Sequence, residues 1–257
     1  TVSICIAVEY VYAGGPNGRQ VINAACQRAE EPAEVIAYIS MFHYGYKKVT
    51  FPAPSPRIPQ AIRKGLGDAV RRLWNEYSVM KYNGNSRQIN MAHVLNLIHA
   101  KPDENKPWQG GLFKYIIDRE YDNSLEFGGL EKIARQHSLR EVPEADRRAM
   151  LSSNLINDAG MTWEQLSGWI PGGMDAQAWE AMIPSLGYMA LLRNLRNFDK
   201  VEISDAAVNS VIARLTNPEE VAKSRQLPFR FLSAYLNTDS DNWKRALGTA
   251  LDLSTQN

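Results

Sequence analysis

The chain has 257 residues, of which 44% are apolar, and its formal net charge at pH 7 is +1. This length and composition are sufficient for a large hydrophobic core, and the six tryptophans and eleven tyrosines exclude an intrinsically disordered chain. The two cysteines, Cys5 and Cys26, exclude a disulfide-rich scaffold and a zinc site built on paired cysteines, and they indicate a reduced, cytoplasmic protein.

The first fifth of the chain predicts short helices separated by Gly and Pro. Residues 3–13 form a short, mostly apolar segment that fits either a strand or a buried helix. From Arg19 onward, apolar residues at a spacing of three to four predict a helix that ends before Pro32. Pro32 then opens a second helix, whose inward face is expected to include Ile36 and Phe42. Together the two helices predict a helical hairpin.

The next segment, residues 47–101, concentrates positive charge. It contains ten Lys and Arg against two acidic residues, so its net charge is +8 in a chain of +1. The proline-rich stretch 51–59 is expected to be extended, and one long amphipathic helix is predicted from Ile58 to Tyr77. On a helical wheel its basic residues lie opposite the apolar face, and they are Arg57, Arg63, Lys64, Arg71 and Arg72. A one-sided basic stripe indicates either a solubilising surface or a polyanionic partner such as nucleic acid.

Helical patterns continue at short intervals to the end of the chain. They are predicted at 90–97, 107–117, 125–137, 143–151, from a capping box at 162–165, and at 184–198, 208–215, 227–236 and 241–253. No segment alternates long enough to predict a strand. About a dozen helices with Pro or Gly between them predict an all-α fold of degenerate helical repeats, an α-solenoid.

Motifs of the common enzyme classes are missing from the sequence. His93 and His99 are six residues apart, a spacing that does not place them on one face of a helix, and no His-Glu-x-x-His motif occurs. Neither a Gly-x-Ser-x-Gly elbow nor a phosphate-binding glycine loop is found. No apolar run approaches the roughly 18 residues of a membrane span. We therefore expect no catalytic residues, no metal, no other cofactor and no membrane partner.

Two stretches carry a specific family resemblance. The first is Lys81-Tyr-Asn-Gly-Asn-Ser-Arg87 followed by His93-Val-Leu-Asn-Leu-Ile-His99-Ala-Lys101-Pro102, and the second is centred on Met189-Ala-Leu-Leu-Arg-Asn-Leu-Arg-Asn-Phe198. Together they resemble the TROVE module of the Ro autoantigen family, shared with telomerase- and vault-associated proteins. The resemblance implies one TROVE-like domain over residues 1–257, built from irregular HEAT-like helical repeats as a curved or ring-shaped α-solenoid. The N-terminal segment and the von Willebrand A domain of full-length members are not recognised in this sequence.

The resemblance also implies an RNA-binding function without catalysis. Family members bind small structured noncoding RNAs, the Y RNAs and their relatives, on a basic outer surface. Single-stranded 3′ ends of misfolded RNA enter the ring, and an exoribonuclease is an implied partner in RNA quality control. The positions that match RNA contacts of the family are Lys81, Arg87 and His99. The neighbouring cations expected to extend this surface are Lys47, Lys48, Arg63, Lys64, Arg71, Arg72 and Lys101.

Two of these expectations have a structural alternative. His99 either contacts RNA or is a buried histidine at a helix end. Arg193, Asn194 and Asn197 form a polar strip on an otherwise apolar helix, and they either line the hole of the ring or form hydrogen bonds that lock neighbouring helix ends. For the whole chain the alternative is a protein–protein scaffold, because helical arrays commonly bind peptides in their concave faces.

Overall fold

The computed structural model describes residues 2–45, 57–83 and 88–255. Within these ranges it contains seventeen α-helices, one 3-10 turn and no strand, which confirms the all-α prediction. The chain divides after Arg135 into two compact units, and each has its own hydrophobic core. A single domain over residues 1–257 stays a prediction, since helical repeats bury their apolar surface locally between neighbours.

The first unit is built from short helices. They are α1 (Val2–Tyr12), α2 (Gly18–Ala25), α3 (Glu31–Phe42), α4 (Gln60–Leu73), α5 (Glu76–Tyr82), α6 (Met91–Ile98) and α7 (Pro107–Glu120). The next helix, α8 (Glu131–Arg140), runs across the boundary between the units.

The second unit continues the pattern. Its helices are α9 (Glu144–Arg147), α10 (Ser153–Ala159), α11 (Trp163–Trp169), α12 (Ala176–Met182), α13 (Tyr188–Val201), α14 (Asp205–Leu215), α15 (Pro218–Ser224), α16 (Pro228–Leu236) and α17 (Asp241–Thr255). A 3-10 turn, Ile183–Ser185, lies between α12 and α13. None of the helices in the described part of the chain is both long enough and apolar enough to cross a membrane.

Side-chain caps decide where several helices begin. Asn75 caps α5 in a reciprocal pair with Ser78, and Asn90 caps α6 in the same way with His93. The capping box predicted at Thr162 opens α11. Each cap satisfies backbone N–H groups that the first turn of a helix leaves without partners.

The prediction of one long helix from Ile58 to Tyr77 is wrong. α4 ends at Leu73, Trp74 has an extended backbone with φ −92° and ψ 126°, and the Asn75 cap starts α5. The break buries Trp74, whose indole N–H donates to the carbonyl of Ala29 at 2.9 Å. A buried hydrogen bond to a distant residue therefore overrides the continuous apolar periodicity of this segment.

Other boundaries also differ from prediction. Of the two alternatives left open for residues 3–13, the structure has the helix, over Val2–Tyr12. Phe42, expected to face inward, is 69% exposed. The helix predicted at 125–137 starts only at Glu131, and the helix predicted at 143–151 is reduced to one turn. The three helices α10, α12 and α15 were not predicted, because seven residues are too few to show a 3.6-residue period.

A close approach of α2 and α4 places the site described below. A Cβ atom on Gly65 would lie 2.6 Å from the carbonyl oxygen of Arg19 and 2.8 Å from Cβ of Ile22. Only glycine allows the two helices to approach this closely. The contact brings Arg19 beside the solvent-facing side of α4.

An aromatic cluster organises the core of the second unit. Phe198 meets Trp179 and Trp243 edge to face, with ring centroids 5.1 and 6.5 Å away. The indole N–H of Trp243 donates to Asp199 at 2.6 Å. This core holds α12, α13 and α17 together.

Candidate nucleic-acid interface

A basic cleft of about 510 Å³ opens beside α4 in the first unit. It is formed by the start of α2, the exposed face of α4 and the turn after α6. Its charged and titratable lining consists of Arg19, Arg63, Lys64, Arg71, His99 and Lys101. No acidic side chain is among the described residues that line it. The structure thus brings together five of the ten residues predicted to contact RNA, although α6 is separated from α4 in sequence.

Arg19 is a lining residue that the sequence pattern did not indicate, because it lies outside segment 47–101. Its Nε and Nη2 donate to the Asp68 carboxylate at 2.5 and 2.7 Å, and Arg71 contacts the same carboxylate. The hydrogen bond from Arg19 is the main cause that holds the pKa of Asp68 below its usual range, and Arg71 adds to it. Asp68 therefore stays ionised and organises two guanidinium groups at the edge of the cleft.

Arg71 also connects α4 to the turn after α6. Its Nη1 donates to the carbonyl of Lys101 at 3.5 Å, and its own carbonyl accepts from Lys106 Nζ at 2.5 Å and from Gln109 Nε2 at 3.0 Å. Gln109 is fully buried, so this end of α4 is anchored to the core. The anchoring keeps Lys101 next to the α4 cations.

His99 ends α6 in the left-handed conformation, with φ 51° and ψ 46°. Its backbone N–H donates to Leu95 at 2.8 Å, and its side chain is exposed and lines the cleft. The alternative of a buried histidine at a helix end is wrong. His99 does end the helix, but its side chain is exposed. The imidazole is available to a ligand in the cleft.

Arg63 and Lys64 are two cations of the cleft that have no ion-pair partner in the described part of the chain. Both are exposed on α4. Asp68, which contacts Arg19 and Arg71, compensates only one of the five positive charges. The cleft keeps a net charge of about +4, which attracts a polyanion.

Lys81 does not line the cleft. Its Nζ donates to the hydroxyl of Tyr77 at 3.1 Å and lies 5.4 and 5.3 Å from the ring centroids of Tyr77 and Tyr82. Partial burial lowers the pKa of Lys81, but the hydrogen bond to Tyr77 and the charges of the two phenols outweigh burial and raise the pKa overall. The loop that follows begins with Asn83, which is buried and accepts from the Met91 N–H at 3.2 Å, so its side chain is not free for sugar or phosphate.

Two more basic residues of segment 47–101, Arg72 and Arg57, do not line the cleft. Arg72 points back to the end of α2, where Nη2 donates to the carbonyls of Asn23 at 2.7 Å and Cys26 at 2.6 Å. Arg57 precedes α4, which begins at Gln60, so the helical wheel placed it on a helix to which it does not belong. The other three predicted contacts, Lys47, Lys48 and Arg87, lie outside the described residues.

The polar strip of α13 is partly buried. Asn194 is 2% exposed; its Nδ2 donates to the carbonyl of Ala190, and its Oδ1 accepts from Asn197 Nδ2, both at 2.8 Å. All of these partners belong to α13. The two asparagines therefore do not form the expected hydrogen bonds to the ends of neighbouring helices. Arg193 is exposed, and its role at the hole of a ring stays a prediction.

A polar cluster beside the cleft-forming turn involves the other histidine of α6. His93 accepts from the Asn90 N–H through Nδ1 at 3.3 Å, and its Nε2 lies 3.4 Å from Glu120. Burial lowers the pKa of His93, and the negative charge of Glu120 opposes this shift only in part. Across residues 2–45, 57–83 and 88–255, no group of three or more His, Cys, Asp or Glu side chains could hold a metal ion.

Comparison with known proteins identifies the type of module. The model of the TROVE domain matches residues 157–248. Residues 157–248 therefore form a TROVE-like segment. The TROVE match begins in α10 and ends in α17, so it lies in the second unit, whereas the basic cleft lies in the first.

The chain is also similar to telomerase protein component 1 of Mus musculus and of Rattus norvegicus. Each is 42% identical over 69 residues, which are 26% of this chain and 3% of the relative. The Ro (RSR) protein of Deinococcus radiodurans has a similar fold, with a TM-score of 0.59 and 18% identity. That comparison covers 100% of this chain and 56% of the Deinococcus protein, so the chain spans about half of its length. The chain therefore shares the helical fold of this Deinococcus protein.

Proposed function

We propose that the chain binds RNA and that the cleft beside α4 contacts its phosphates. The observation that carries this proposal is the set of five cationic side chains that line one cavity, of which only Arg19 and Arg71 share a carboxylate, that of Asp68. Lys and Arg that neutralise phosphates release condensed counterions, which supplies a large and sequence-independent part of the binding free energy. His99 and Lys101 add donors for sugar and phosphate oxygens.

The ligand proposed is a small structured noncoding RNA of the Y RNA type. This choice rests on the family resemblance of residues 81–102 and 189–198 and agrees with the TROVE match at residues 157–248. Single-stranded 3′ ends of misfolded RNA are the second proposed ligand. On the same basis we propose a non-catalytic, cytoplasmic role in RNA quality control, with HEAT-like repeats as the scaffold and an exoribonuclease as a protein partner.

Salt dependence tests whether phosphates are contacted. The full chain would be titrated into a fluorescent stem-loop RNA at several salt concentrations. The logarithm of the affinity is expected to fall linearly with the logarithm of the salt concentration, with a slope set by the number of phosphates contacted. An affinity that did not change with salt would contradict the proposal.

A triple variant tests the contacts carried over from the family. Lys81→Ala with Arg87→Ala and His99→Ala is expected to weaken binding of structured RNA without changing the helical circular dichroism. Wild-type affinity in this variant would move the RNA site away from these three residues.

The second candidate function, a protein–protein scaffold, is favoured by one observation. α16 exposes Phe229, Leu232 and Leu236 on one side, and Leu236 is 72% exposed. Nuclease treatment of the purified chain distinguishes the two functions. RNA that co-purifies and is lost on digestion supports RNA binding, whereas a protein partner that survives digestion supports the scaffold.

A further inference from the structure

A second cavity, of about 430 Å³, lies in the first unit where α5, α7 and α8 begin. Its size is within the range of small-molecule sites. Two aromatic side chains and four polar ones line it, namely Tyr77, Trp108, Asn75, Glu76, Glu131 and Lys132. None of these residues belongs to the basic cleft.

Tyr77 is an exposed aromatic side chain held in a fixed position. It is 45% exposed, and Lys81 contacts both its hydroxyl, at 3.1 Å, and its ring, at 5.4 Å from the centroid. A hydrogen bond and a cation–π contact to the same side chain restrict its rotamers before any ligand arrives. Within the described part of the chain, its ring does not stack on another aromatic ring.

Trp108 forms the second aromatic wall, in the first turn of α7. One part of the indole packs against the core of the first unit, which fixes its orientation. Gly129, with φ 75°, passes so close that a Cβ there would lie 3.6 Å from Cβ of Trp108. The indole N–H has no acceptor among the residues that the structure describes, so it is available as a donor to a ligand.

The polar groups of the pocket have mixed charge. Glu76 accepts from the N–H of Ile133 at 2.8 Å, and its carboxylate is therefore committed to the start of α8. Glu131 and Lys132 are exposed and of opposite sign. A pocket with this balance selects neither a phosphate nor a cation by charge. It suits a flat, neutral ring with donors and acceptors on its edge.

We propose that this pocket binds one unpaired nucleobase of a bound RNA, with its ring against Trp108 and Tyr77 and its polar edge toward Glu131 and Lys132. The inference rests on the proposed RNA-binding function and adds a base-contacting site to the phosphate-contacting cleft. Stacking on an aromatic side chain tolerates any base, and a carboxylate favours bases with an amino group on the edge. The pocket therefore recognises single-stranded segments, because a paired base cannot leave its stack without cost.

A fluorescent base tests the proposal directly. The full chain would be titrated into a short oligouridylate that carries one 2-aminopurine, whose fluorescence is quenched when the base stacks. Wild type is expected to quench it. Trp108→Leu, which keeps apolar packing, and Tyr77→Leu are each expected to reduce the quenching and to weaken binding about 5- to 100-fold. Circular dichroism checks that both variants fold, and Tyr121→Leu, which removes a tyrosine that is 52% exposed in the same unit, serves as the matched control.

The outcomes separate this site from the cleft. The base site is overturned if wild type binds the oligonucleotide without quenching, or if both variants bind and quench as wild type does. In either case RNA binding itself is unaffected. If the wild-type chain bound neither this oligonucleotide nor the stem-loop RNA at low salt, the proposed function and the base site would fail together. Tetramethylammonium chloride is the probe for a cation site. Saturable quenching of the tryptophan fluorescence by it that Trp108→Leu abolishes, without any by adenosine, would also overturn the base site.

Discussion

Arg19 on α2 and Asp68 on α4 are 49 residues apart in sequence and form an ion pair through two hydrogen bonds of 2.5 and 2.7 Å. The same carboxylate contacts Arg71, so one acid aligns two guanidinium groups at the edge of the basic cleft. Planar guanidinium groups bind carboxylate and phosphate in the same two-point geometry. In the proposed RNA complex, a phosphate would therefore meet arginines that are already oriented.

The first prediction concerns Arg63 and Lys64, two cations of the cleft that form no ion pair in the described part of the chain. Arg63→Ala with Lys64→Ala is expected to weaken binding of structured RNA. The slope of log affinity against log salt is expected to become shallower by about 1 for each phosphate that the variant no longer neutralises. Fluorescence anisotropy at several salt concentrations measures both quantities.

The matched control for this pair is Arg196→Ala with Lys200→Ala. These are two exposed cations of α13 in the second unit, so the change in net charge is the same. Equal reductions of affinity and slope in the two double variants would contradict a localised phosphate site beside α4.

The second prediction concerns two glycines of the same helix. Gly65→Ala is expected to destabilise the chain by about 1–3 kcal/mol, because its Cβ would meet the backbone of α2 at Arg19, which cannot move independently. Gly67→Ala has no atom within 4 Å of the added Cβ, and it is expected to stabilise α4 by about 0.5–1 kcal/mol. Thermal unfolding followed by circular dichroism measures both changes, and similar effects of the two substitutions would contradict the close approach of α2 and α4.

The third prediction concerns acid stability. Arg19 and Arg71 lower the pKa of Asp68 in the folded chain below its ordinary value of 3.8, so the folded state binds fewer protons there than the unfolded state. The stabilisation is therefore complete above pH 3.8 and is lost as the pH falls through the lower, folded pKa.

Asp68→Asn is accordingly expected to be less stable than wild type near neutral pH, and the difference is expected to shrink below about pH 4. Urea unfolding at a series of pH values measures it. Asp252→Asn, which replaces an exposed aspartate near the end of α17, is the control. A difference between wild type and Asp68→Asn that stayed constant down to acid pH would show that the carboxylate charge is not the stabilising element.

The fourth prediction concerns the two cysteines. Cys26 has no exposed surface, and burial, with a smaller contribution from Glu31, raises the pKa of its thiol to about 12. Cys5 is half-buried on α1. Since the thiolate is the reactive form, iodoacetamide at mildly alkaline pH is expected to alkylate Cys5 well before Cys26 in the folded chain. Mass spectrometry of the two peptides measures the rates, and denaturant is expected to equalise them; fast labelling of Cys26 under native conditions would contradict its burial.

Local features of this chain were predictable from sequence. The caps at Asn75, Asn90 and Thr162 are contacts between residues three apart in sequence. The helix start at residue 90 and the capping box at residues 162–165 were both predicted. Apolar periodicity indicated an all-α chain, and the excess charge of segment 47–101 indicated a basic site. The motif at residues 189–198 indicated the TROVE module. All of these features depend on residues that are near one another in the sequence, which is why they were predictable without the structure.

Contacts between helices that are distant in sequence determine which cations share a cleft. Arg19 joins it because Gly65 lets α2 approach α4, whereas Arg72 turns away to the carbonyl groups that end α2. Lys81 donates to the hydroxyl of Tyr77, which lines the second cavity. No charge pattern in the sequence indicated that cavity. A helical wheel gives the side of the helix on which a side chain lies. The hydrogen-bond acceptor that the side chain reaches lies on a helix many residues away. The periodicity of one helix therefore cannot predict which side chains form the site.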